Sequence, residues 1–114
     1  MTEDKTHSAD FTVDKQNLYR EETFTDLKVA SIRRLTPVRP DGSEDKGRRI
    51  IFVGQTSLLS PNGAVPIQNI IQAKDLQQAI KKFPEAMLVA VDRLIEEAKK
   101  VKRREESRII IPGR

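Results

Sequence analysis

Two corners of the same chemistry divide the middle of this chain, Arg39-Pro40-Asp41-Gly42 and Ser60-Pro61-Asn62-Gly63. Each puts proline where a φ of about −65° is wanted, Asp or Asn next, and glycine where a positive φ is tolerated. The apolar runs beside these corners must turn back on one another, which predicts a three-stranded antiparallel meander. The first run holds Phe24, Leu27, Val29, Ile32 and Leu35. Its apolar side switches between Val29 and Ile32, which in a single strand means two buried faces or a bulge. The second run, Arg48 to Leu59, carries Ile50-Ile51-Phe52-Val53 and predicts the central strand. The third, Ala64 to Ile71, contains Pro66, which cannot donate to a ladder and so favours an edge or a bulge. The second corner closes tightly, whereas Ser43-Glu44-Asp45-Lys46-Gly47 extends the first into a polar loop.

Beyond Lys74 the apolar period becomes helical. Leu76, Ala79, Ile80 and Phe83 share one face, and Pro84, costly inside a helix, predicts a break or kink after this short helix. A long helix follows from Glu85 to about Glu106, with Met87, Val91, Leu94, Ala98 and Val101 at spacings of four and three. That stripe can cover the sheet. It also matches a coiled-coil seam, though over only about two heptads. Arg108-Ile109-Ile110-Ile111-Pro112 reads as a short terminal strand, returning to its own sheet or adding to that of a second subunit. The expected fold class is therefore α+β: a three-stranded antiparallel meander, a broken helix (a short helix, then a long C-terminal one) and a short terminal strand.

Charge divides the same chain differently. Residues 1–26 hold seven acids against three bases, a net of −4, so the rest carries +8 to give the chain its +4. Residues 1–23 are polar and aperiodic and read as a mobile acidic tail, leaving 24–114 as a single basic domain. No cysteine is present, which excludes disulfides, zinc–thiolate sites and thiol nucleophiles and fits a reducing cytoplasm. The opening Met1-Thr2-Glu3-Asp4 has acids where a secretory signal places bases, and no apolar run reaches the roughly 20 residues of a membrane span.

Catalytic constellations are as scarce. The one histidine, His7, lies in the acidic tail, so no serine triad or Cys/His dyad can be built in the basic domain. Neither phosphate-binding glycine motif occurs, and Asp41, Glu44 and Asp45 lack the spacing of a calcium loop. The expectation is a non-enzymatic protein with no catalytic residues, no metal and no cofactor.

Binding remains. Arg33, Arg34 and Arg39, Arg48 and Arg49, and the cluster Lys99, Lys100, Lys102, Arg103 and Arg104 are the candidate polyanion-binding residues. Arginines 33 or 34 beside 48 or 49 would repel as cross-strand neighbours, which an anion between them would relieve; loop acids or the tail could equally neutralise them. The leading reading is nucleic acid or another polyanion, or an acidic protein, with the tail as competitor. The alternative is a homo-oligomeric structural or protein–protein interaction module, a homodimer or larger, assembled through strand edges, the helix residues Met87, Val91 and Leu94, and the terminal Ile109, Ile110 and Ile111.

Overall fold

The structure, a computed structural model, describes residues 9–110, with side chains through Arg104. Four strands form one antiparallel meander: β1 (Tyr19–Thr25), β2 (Ser31–Pro37), β3 (Ile51–Ser60) and β4 (Gly63–Ile71), in the order β1-β2-β3-β4. One helix, α1 (Leu76–Ile110), lies across a single face of that sheet. The architecture is α+β, with two corrections to the expected strands.

The first is at the start. Phe24 and Ile32 do not share a strand; they are opposite one another on β1 and β2. The apparent change of face at Val29 is a hairpin loop, not a bulge. It carries neither glycine nor proline, and is held instead by Asp26, whose Oδ1 accepts from the N–H groups of Lys28, Val29 and Ala30 at 2.8, 3.0 and 3.0 Å. Leu27 takes the left-handed conformation, φ 61°, that glycine would adopt at no steric cost. The sheet thus has four strands, and Tyr19–Thr23, assigned from sequence to the acidic tail, belong to β1. Farther back, Lys15–Asn17 form one 3-10 turn, while Phe11 and Val13 are exposed; residues 1–8 lie outside the described residues.

The second correction concerns the C-terminal end. Helix α1 runs unbroken for 35 residues through Pro84, and Arg108–Ile110 continue it in place of a terminal strand; Ile111 lies outside the described residues. Proline at position 84 leaves the Ile80 carbonyl without its usual donor. The helix persists because Ala79 and Phe83 before the proline and Met87 and Ala90 after it all dock on the same sheet. At its start, Asp75 Oδ1 accepts from Gln78 N–H at 2.8 Å in the opening turn, and Gln78 Oε1 accepts from the N–H of Lys74, just before the helix, at 2.7 Å.

Both proline corners form as the turn chemistry requires, with Gly42 at φ 89° and Gly63 at φ 115°. Pro66 sits on β4, an outer strand, as its missing donor demands. The core lies between the helix and β2–β4: Ile32, Phe52, Ile71 and Ala79 at one end, Ile67, Met87 and Ala90 at the other. Burying each of the larger of these side chains contributes about 1.5–3 kcal/mol.

Gly54 sits where these two ends meet. A Cβ there would lie 2.9 Å from Ile71 Cδ1 and 3.0 Å from both Met87 Cε and Phe83 Cδ1. The helix approaches β3 this closely because that position has no side chain. Gly54→Val is expected to lower stability by about 1–3 kcal/mol, read as a lower urea midpoint at unchanged slope.

Candidate binding surfaces

The sequence-selected cations fall into two groups with different fates. Those on the sheet are committed to neighbours. Arg34 lies directly opposite Glu22; its Nε donates to Glu22 Oε1 at 3.0 Å, and its guanidinium stacks 5.0 Å from the centre of the Phe24 ring. Arg33 points to the opposite face, where Nη2 donates to Gln68 Oε1 at 3.3 Å and Nη1 stands 3.8 Å from Glu21 Oε1. Val53, its register partner, is buried on this helix-free face.

Arg48 ties the long loop to the start of β1. Its Nε donates to Asp45 Oδ2 at 3.0 Å, and Nη2 to the carbonyls of Leu18 and Val38, both at 3.0 Å, with Tyr19 stacked beneath at 5.0 Å. The β2–β3 ladder ends at Leu35–Ile51, so neither Arg48 nor Arg49 is a cross-strand neighbour of Arg33 or Arg34. The repulsive arginine pair expected from sequence is therefore not formed. Arg39, exposed, donates to Ser43 Oγ at 3.4 Å; Arg49 is exposed.

Glu-Glu at 21–22 and Arg-Arg at 33–34 stand almost symmetrically about the Asp26–Ala30 loop, which was the available sequence signal for β1. It is a weak one, because Phe24 is the only aliphatic or aromatic residue of β1 besides Tyr19.

The second group is on the helix. Lys99, Lys100, Lys102, Arg103 and Arg104 are all exposed, with Lys99 Nζ 3.9 Å from Glu96 Oε2. Of the helix residues expected at an oligomer interface, Met87 is buried in its own core, Val91 packs partly against that core, and Leu94 is half-exposed at its margin. Ile109 and Ile110 are helical.

The apolar stripe expected to cover the sheet is wider than the face that docks, and its remainder is a flank of α1. Ile80, Pro84, Leu88, Val91 and Ile95 follow one side of the helix at spacings of four, four, three and four. Ile80, Leu88 and Ile95 are 56%, 64% and 45% exposed. Where this flank faces the β1–β2 hairpin, Ile80, Phe83 and Pro84 oppose Phe24, Val29 and Ile32 across an apolar groove of about 370 Å³. Among the described residues no three His, Cys, Asp or Glu side chains gather as a metal site would need, and no helix is long and apolar enough to cross a membrane. Compared with protein families, with curated proteins and with solved structures, the chain matches none.

The hydrogen bond from Arg34 holds the Glu22 carboxyl below its ordinary value of 4.5, and Arg48 does the same for Asp45, ordinarily 3.8. A carboxylate favoured by folding contributes stability above its unfolded value, and that contribution is lost as pH falls through the lower folded value. Glu22→Gln is therefore expected to be less stable than the parent at pH 7. Below pH 4.5 the two stabilities should converge, which thermal melts across an acid series will measure.

Proposed function

We propose that this protein is a non-enzymatic interaction module that assembles with copies of itself or with a protein partner. The observation carrying this reading is the apolar flank of α1, with Ile80, Leu88 and Ile95 exposed on a helix whose adjoining face already holds the core. A helix of 35 residues is about 52 Å long. Its core contacts end near Val91, and its pocket with Pro66 and Ile67 extends only to Glu97. The molecule is correspondingly extended, with principal dimensions of 64 × 53 × 26 Å. Exposed apolar patches of this continuity mark contact surfaces in soluble proteins. Leu88→Glu with Ile95→Glu is expected to lower the assembled mass seen by light scattering while leaving the circular dichroism spectrum unchanged; an unaltered mass in an assembled protein would exclude the flank.

A second reading, contact with nucleic acid or another polyanion, is favoured by the five exposed cations between Lys99 and Arg104. The pairing of Arg33, Arg34 and Arg48 with carboxylates and carbonyls leaves this helical cluster, rather than the sheet, as its basis. Binding of labelled RNA or DNA should then weaken as salt rises, with a slope reduced by about one for each phosphate-contacting residue changed to alanine. Salt-independent binding, or none, would remove this reading.

A further inference from the structure

Strand β3 outruns its neighbour. The β2–β3 ladder stops at Ser31–Gln55, whereas the β3–β4 ladder continues for five more pairs, from Thr56–Ile67 to Ser60–Gly63. Among the described residues the β2 side of Thr56–Ser60 is therefore an open edge within the sheet, distinct from the two outer edges.

Main-chain direction alternates along a strand. Gln55 bonds toward β2 and Ser60 closes the two-residue hairpin toward Gly63, so Ser57 and Leu59 aim both N–H and C=O into the open side. The same alternation turns Pro66 and Ile70 outward on β4. That outer edge is blunted at both: proline has no donor, and the Ile70 N–H is taken by Asn69 Oδ1 at 2.9 Å. The outer edge of β1 carries Arg20, Glu21 and Glu22. Thr56-Ser57-Leu58-Leu59-Ser60 has no charge, no proline and no glycine, and among the described residues it is the unguarded edge. Leu59 is 86% and Leu58 40% exposed.

We infer that this edge is a self-association site, at which Thr56–Ser60 of two copies pair antiparallel about a two-fold axis midway between their Leu58 residues. This rests on the assembly reading above and names its partner and place. The segment suits its own copy because the two meeting strands carry no charge, so the pairing opposes none, and the register is self-consistent. With Leu58 opposite Leu58, Ser57 of each copy faces Leu59 of the other, and those are the residues whose main-chain groups point outward. Four N–H···O=C bonds form. The same register brings Pro61 and Asn62 of the second copy against the end of β2. There the molecule has a notch of about 270 Å³ between the β1–β2 loop, residues 27–31, and Gln55, Thr56 and Ser57 of β3, so the incoming strand enters beside that loop. Leu58 shares the helix-covered face with its register partner Val65, so the paired edge extends the apolar side of the sheet.

The test uses the full chain and its lack of cysteine. In the proposed pairing the two Leu58 positions form a non-hydrogen-bonded pair, about 4.5 Å apart at Cα, within the range a disulfide spans. Leu58→Cys in an oxidised glutathione buffer should convert to a covalent dimer, whereas Ile70→Cys, exposed on β4, should not. Leu58→Lys should weaken association about tenfold or more through like charges directly opposed, and an equal mixture with Leu58→Glu should restore it. A wild-type oligomer in which Leu58→Cys fails to cross-link and Leu58→Lys changes nothing would overturn this pairing and leave assembly through the helix standing. A chain monomeric at every concentration would overturn both. Slow, concentration-independent exchange of the Ser57 and Leu59 amides would show another segment of the same chain on the edge, and would also overturn the pairing.

Discussion

One helix has to cover four strands, and it is too narrow to do so. A helix with its side chains is about 10–12 Å wide, while four strands at their usual spacing place the outer axes about 14 Å apart, with side chains beyond. Helix α1 settles over β3 and β4, drawn down at Gly54 and fastened where Asn69 Nδ2 donates to the Ala86 carbonyl at 3.1 Å. Everything on the β1 side must be stabilised in another way, and the exposed flank of the helix is the geometric remainder of that placement.

Polar chemistry takes over where the helix does not reach. On the helix-facing side of β1 and β2, Arg34 bonds Glu22 and lies over Phe24; on the opposite face, Arg33 reaches between Glu21 and Gln68 above the buried Val53. Guanidinium groups suit this position because their planar faces stack on rings while their edges donate. Two guanidinium nitrogens, Arg33 Nε and Arg48 Nη1, are buried without a hydrogen-bond partner, a cost of packing cations against a sheet. The acids of β1 thereby cancel the bases of β2 within the fold. The charge surplus that remains on open display is on the distal helix.

Several elements were legible in the chain. The two Pro-x-Gly corners, the central strand through Phe52 and the outer position of Pro66 follow from turn chemistry and from the donor that proline lacks. The Asp26–Ala30 turn was not legible, because a leucine occupies its left-handed position and a carboxylate, not a glycine, closes it. With that turn hidden, β1 merged with β2 in the sequence pattern, and the acidic residues 21 and 22 were assigned to a tail. Of the candidate polyanion residues, the helical cluster is displayed as its composition implies, while Arg34 and Arg48 turn inward to partners that are 12 and 30 residues away in sequence.

Local preference therefore determined the element types: β-branched and aromatic residues at 51–53 make a strand, and apolar residues three and four apart from Leu76 onward make a helix. Tertiary structure decided how far each element runs and what its charges touch. Proline at position 84 ends a helix only if neither side is held, and here both sides dock on one sheet. An arginine is a ligand for anions or a structural tie according to whether a carboxylate lies opposite it, and register between strands is a property of the folded chain that no single segment contains.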